Sequence, residues 1–168
     1  LTNNKKPVVK LEDMQGMKVR VQQSPSSIDV FQRLGANPVP MSWNQLYTAL
    51  ETRTVDAQEN PIATIHAGKL YEVQKYMTLT AHAYGAHVLL SSKKLWDSMS
   101  ADERRIIAEA AVEARDFQRK LSREKEQSLM AEMTAAGMKV DPFAPAEFDK
   151  LRAATQPVLE KYSKDIGP

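Results

Sequence analysis

Apolar and polar positions along this chain follow two rhythms, one of period two and one near 3.6. Met17-Lys18-Val19-Arg20-Val21 alternates, with Val19 and Val21 on one face, and predicts a strand. Ser24-Pro25 then supply an N-cap and a first helical residue, and Ile28, Val30, Phe31 and Leu34 carry a helix that stops at Gly35. Pro38-Val39-Pro40-Met41 is short and extended and suits a sheet edge, because proline donates no ladder hydrogen bond. Ser42 caps a second helix whose apolar face is Trp43, Leu46, Tyr47 and Leu50. Residues 55–59 are extended again, and Asn60-Pro61 turns into a short helix reaching about Leu70. Residues 73–79 and 88–91 read as two further strands. The first 16 residues read as a polar connection with one extended piece at Val8-Val9. Strand and helix thus alternate, which predicts an α/β fold around a mainly parallel sheet.

Beyond residue 100 the pattern changes. Ser100-Ala101-Asp102-Glu103 is a capping box with two acids in the first turn. Ile106, Ala110, Ala114, Phe117, Leu121, Leu129 and Met133 follow at roughly helical spacing until Gly137. A helix over 101–136 is roughly 50 Å long at 1.5 Å per residue, longer than a compact domain of this size is wide. Its eight acids and seven bases give it a solvated face rather than a basic stripe. Lys139-Val140 predicts a last short strand and residues 145–166 a closing helix.

Composition narrows the function classes. The 168 residues make one domain or part of something larger, and 42% hydrophobic with 26% charged residues is ample for a core. No apolar run approaches the ~20 residues that span a bilayer. A net charge of +2 does not argue for a nucleic-acid partner. Absence of cysteine excludes disulfide scaffolds, Cys-containing zinc sites, iron–sulfur clusters and thiol catalysis. The three histidines form no helical metal-ligand pair, the six isolated glycines build no phosphate loop, and no nucleophile elbow exists. No metal or cofactor is therefore expected, nor an enzyme. Asp56 and Glu59, three apart, have the spacing of many surface acids. The abrupt polar opening Leu1-Thr2-Asn3-Asn4 leads us to expect sequence upstream.

Arg20 has two readings. It is either a solvated residue on a sheet edge or a guanidinium fork at a strand end, able to hold a carboxylate by two parallel hydrogen bonds. Asn60 follows another strand, and in open α/β sheets ligands sit outside the carboxyl ends of the strands. Asn-Pro is also an ordinary turn dipeptide. Trp43 either walls a pocket or anchors its helix.

These residues fall into one pattern. Gly16-Met17-Lys18-Val19-Arg20-Val21, Leu34-Gly35-Ala36-Asn37-Pro38-Val39-Pro40-Met41 and Gln45-Leu46-Tyr47-Thr48-Ala49-Leu50 resemble segments of the solute-binding proteins of tripartite ATP-independent periplasmic (TRAP) transporters. Val55-Asp56-Ala57-Gln58-Glu59-Asn60-Pro61, Tyr71-Glu72-Val73-Gln74-Lys75-Tyr76 and Ser92-Lys93-Lys94-Leu95-Trp96-Asp97 continue the resemblance, which covers essentially the whole chain. It implies a periplasmic-binding-protein-like lobe, forming roughly the C-terminal half of a two-lobed, periplasmic protein. Residues 1–85 would form the core of the second lobe, 86–125 would cross to the first lobe, and 126–168 would return. The long helix would span both lobes.

The resemblance also implies that Arg20 grips a ligand carboxylate, that Asn60 hydrogen-bonds the same ligand and that Trp43 is a pocket aromatic. His82 and Tyr84 would lie near the ligand where the chain crosses between lobes. The implied partners are a small organic acid and the membrane subunits of the transporter. The Gln58-Glu59-Asn60-Pro61 form fits a dicarboxylate, and Trp43 would equally serve an aromatic acid. Thr52-Arg53-Thr54-Val55-Asp56-Ala57 departs from the usual Thr-Gly-x-Val-Asp-Gly, which predicts a turn without positive φ at either lost glycine. Without its first lobe the chain is expected to self-associate through Val88, Leu89, Leu90 and the start of the long helix. The competing expectation is a protein-interaction module that docks through that helix and takes no small ligand.

Overall fold

A computed structural model describes residues 1–166. Its elements in chain order are β1 (Thr2–Asn3), β2 (Lys18–Val21), α1 (Pro25–Arg33), β3 (Asn37–Pro40), α2 (Trp43–Glu51), β4 (Ala57–Gln58) and α3 (Ile62–Ala67). There follow β5 (Tyr76–Leu79), α4 (Lys93–Ser98), α5 (Ala101–Ala135), β6 (Lys139–Pro142) and α6 (Pro145–Ile166). The six strands form one sheet in the order β3-β2-β4-β1-β5-β6. β2 is parallel to β3 and β4, β5 is parallel to β6, and β1 runs antiparallel to both β4 and β5. Five strands therefore point one way, so their carboxyl ends line a single rim. This is the mainly parallel α/β sheet that the alternating pattern predicts.

Side-chain alternation across the sheet sorts the core onto two faces. Val19, Val21 and Ala57 pack with Phe31, Leu34, Phe143 and Leu151, under α1 and α6. Leu46, Leu50, Ile65, Leu70, Met77 and Met133 form the other cluster, under α2, α3 and the end of α5. Each fully buried side chain of this size contributes about 1.5–3 kcal/mol of transfer free energy. At Gly35, φ of 80° ends α1 in the left-handed region, and a Cβ there would run into the Gln15 side chain.

The structure corrects several expectations. Thr2 and Asn3 are not part of a connection; they form a strand in the sheet interior, paired on both sides and buried. Residues 88–91 form no strand; 81–91 have no regular structure and lie open to solvent apart from a half-buried His82. The strand read over 73–79 starts only at Tyr76, and the one over 55–59 shrinks to Ala57–Gln58. β2 lies between β3 and β4, so Arg20 is not on a sheet edge. The turn after α2 does need positive φ: Arg53, at the first lost glycine, has φ 59°.

A left-handed arginine costs roughly 1–2 kcal/mol against glycine in the folded state. Glycine returns some of that through greater freedom of the unfolded chain. Arg53→Gly is therefore expected to raise stability by about 0.5–1 kcal/mol in urea unfolding. A loss instead would mean that the Arg53 side chain holds the turn by contacts of its own.

α5 is the long helix the sequence predicts. Its N-terminus carries the capping box, with Ser100 Oγ accepting from the Glu103 amide and Glu103 Oε2 accepting from the Ser100 amide. Met133 is its one buried residue, and from residue 81 to residue 132 no residue is buried.

Candidate functional site

The carboxyl rim gathers most of the residues singled out by sequence. Arg20 is the third residue of β2 and points away from the face that buries Val19 and Val21. Its side chain crosses to the end of β3, where Nε and Nη2 donate to the Met41 carbonyl at 3.0 and 2.7 Å. The residue is 4% exposed, yet it makes no ion pair among the described residues. Burial lowers the affinity of this guanidinium for its proton, and the charge of Glu59 partly opposes that. Arginine stays charged regardless, so the site holds a desolvated cation, fixed on one side of its fork. No hydrogen bond from Nη1 is found among the described residues.

Asn60 ends the segment after β4, and its Nδ2 donates to Gln58 Oε1 at 2.6 Å. Pro61 follows as the N-cap of α3, so the amide is held at the strand–helix turn. His82, beyond β5, shares a short hydrogen bond of 2.7 Å between Nδ1 and Thr80 Oγ1. Its Nε2 lies 3.4 Å from Glu59 Oε2, and its ring meets Phe31 edge-on with centroids 5.4 Å apart. Glu59, beside His82 and near enough to Arg20 for its charge to be felt there, is thus the negative charge of the rim. Its spacing from Asp56 is that of an ordinary surface acid, yet the Glu59 side chain is largely buried beside His82. Asp56, three residues earlier, lies at the opposite end of β4, bonded to the Lys18 amide at 2.9 Å and to Lys5 Nζ at 2.9 Å.

Trp43 opens α2, two residues after the carbonyl that holds Arg20, and remains 44% exposed. Its ring lies over Gly68, where a Cβ would come within 2.9 Å of Cζ2, so the glycine makes room for the indole. Tyr84 is not brought to the others; it is 91% exposed in the segment without regular structure. Among the described residues no group of three acids or histidines could hold a metal ion.

A buried arginine without an ion pair, at the carboxyl rim of a mainly parallel sheet, has guanidinium N–H groups free to hold an anion. The model of the bacterial extracellular solute-binding protein family 7 matches residues 1–165.

The chain belongs to this family.

Family 7 includes the binding proteins of TRAP transporters. One solved member, a TRAP periplasmic solute binding protein from Ochrobactrum anthropi with its C-terminus bound in the ligand binding pocket, is 50% identical with a TM-score of 0.87. It covers 99% of this chain and 52% of that one. The sugar acid binding protein of Advenella mimigardefordensis, in complex with galactonate, is 43% identical with a TM-score of 0.91, over 99% of this chain and 54% of that one. The 2,3-diketo-L-gulonate-binding periplasmic protein YiaO of Escherichia coli is 41% identical over 140 residues, 83% of this chain and 43% of that one. The chain therefore spans about half the length of the relatives it matches.

Proposed function

We propose that this chain is the C-terminal half of an extracytoplasmic, periplasmic solute receptor of a TRAP transporter, which captures an organic acid by its carboxylate and performs no chemistry on it. The observation that carries this reading is the buried Arg20 fork, held from behind by the Met41 carbonyl and without an anion of its own. A carboxylate arriving there gains a charge-assisted contact in a place where water competes poorly. Asn60, Trp43 and His82 stand on the same rim and would contact the rest of the ligand.

Residues 1–85 would form the ligand-gripping lobe, 86–125 would belong to the other lobe, and 126–168 would return. Tyr84 would then become a ligand neighbour only when the other lobe covers it. Closure of the two lobes about the acid would present a distinct surface to the membrane subunits of the transporter. Glu59 makes a second carboxylate beside Arg20 unfavourable, which supports a sugar acid or other hydroxy acid ahead of a dicarboxylate.

A thermal-shift panel of galactonate, 2,3-diketo-L-gulonate and succinate on the full-length protein tests this. Ligand at a hundred times its Kd adds about 2.7 kcal/mol, a shift of several degrees. Stabilisation by one of these acids is the expected result. A flat panel on well-folded protein would favour the helix-docking module instead.

A further inference from the structure

The deepest polar contacts of the sheet lie behind the rim, not on it. Thr2 on β1 and Gln58 on β4 are wholly buried, and Gln74, just before β5, nearly so. Their side chains stand in single file. Gln74 Nε2 donates to the carbonyls of Val73 and Asp56 at 3.2 and 3.5 Å. A backbone carbonyl only accepts, so the amide NH2 of Gln74 must face both, and its Oε1 must face Thr2. The Thr2 hydroxyl donates to that oxygen at 2.9 Å. With its one proton so engaged, it can only accept from its other neighbour, and Gln58 Nε2 donates to it at 2.8 Å. Gln58 therefore turns Oε1 towards the rim, where Asn60 Nδ2 donates to it at 2.6 Å. Two main-chain carbonyls thus fix the orientation of every member, with donation running one way from Asn60 inward. Hydrogen bonds in such a file polarise one another.

Asn60 spends one Nδ2 proton on the file. Its second N–H and Oδ1 have no partner among the described residues. An amide without the file could rotate or exchange its two ends and would lose that freedom on binding. We propose that Thr2, Gln58 and Gln74 form a positioning relay that holds Asn60 in one orientation for the bound acid. Affinity then depends on three residues that never touch the ligand. This rests on the solute-receptor reading above.

The test is a double-mutant cycle in the full-length protein. It is titrated calorimetrically with whichever of galactonate, 2,3-diketo-L-gulonate and succinate binds most tightly. Thr2→Val keeps the side-chain shape and removes the hydroxyl; it is expected to raise Kd about tenfold, while Thr2→Ser stays within about twofold of the parent. In an Asn60→Ala background Thr2→Val is expected to add less than about twofold, because the residue it acts through is gone. Thermal melts of the same samples read what Thr2→Val costs the fold in each background; a merely structural role predicts Kd increases of equal size in the two, which is the outcome the coupling excludes. Equal Kd increases in the two backgrounds, or none in either, overturn the relay and leave the receptor reading standing. Absence of binding by the parent protein overturns both. Should Thr2→Val fail to fold, Gln74→Met at the inner end of the file is read in the same cycle against the same outcomes.

Discussion

Arg20→Ala in the full-length protein is expected to weaken binding of the organic acid by about 2–5 kcal/mol, roughly thirtyfold to several thousandfold in Kd. The size follows from the position. Arg20 is buried on an interior strand, its fork is held by the Met41 carbonyl, and no acid in the described chain is paired with it. A carboxylate bound there would be desolvated with it, and removing one partner of a desolvated pair leaves the other charge stranded. Arg20→Lys is not expected to restore affinity, because a lone ammonium cannot both occupy the Met41 carbonyl and offer a planar pair of donors. The stability of the unliganded protein should move the other way. An unpartnered buried cation is a liability to folding, so Arg20→Met is expected to keep or raise Tm while binding collapses. Calorimetric titration and thermal melts on the same samples read both effects. An Arg20→Ala protein that binds within twofold of the parent would sink the assignment.

Arg20 also marks how far sequence reaches. Its alternation with Val19 and Val21 is a local signal, and the strand forms as that signal predicts. Whether the strand is interior or edge is decided by β4, which returns between β2 and β1, and no local pattern encodes that return. Placement at strand ends offers Arg20 and Asn60 as ligand contacts beside their plain readings, and the family resemblance is what favours the ligand reading for both. β1 shows the limit most sharply. Two polar residues, Thr2 and Asn3, have no strand signature, and they are extended because β4 and β5 supply ladder partners on both sides. Val88-Leu89-Leu90 has strand composition and stays irregular for the converse reason: it finds no ladder partner in the described chain. Arg53 adopts the left-handed conformation that its residue type disfavours, because the C-terminus of α2 and the entry to β4 leave the chain little else. Most helices, and the strands β2, β3 and β6, are legible from periodicity and caps. The polar file through Thr2, Gln58 and Gln74 is not, since its members meet only when three strands are side by side.

In the isolated 168-residue chain, amides of residues 105–128 are expected to exchange with solvent at least about a hundredfold faster than in the full-length protein. Between residues 81 and 132 nothing is buried; Met130 and Glu132 touch the core cluster and His66, and before them, over 105–128, the contacts described are the helix's own. Those are modest: the capping box at Ser100 and exposed pairs such as Arg105–Glu109 and Lys120–Glu124. Such pairs contribute about 0.3–0.5 kcal/mol each. Met133 anchors the far end in the core, but a turn several steps away cannot borrow that anchor once it frays. The outward apolar residues sharpen the point. Leu89, Leu90, Ile106 and Phe117 are all exposed, an arrangement that a stable folded chain covers. If the other half of the protein covers them, exchange in 105–128 slows with its presence, and the isolated chain self-associates at tens of micromolar in light scattering. The two readings of this arm part here. A receptor half should show slow exchange in the intact protein without any added partner. A docking module should leave the arm fast there too, because its cover would be a second molecule. Slow exchange in a clean monomer of the isolated chain would remove both, since the helix would then need no cover at all.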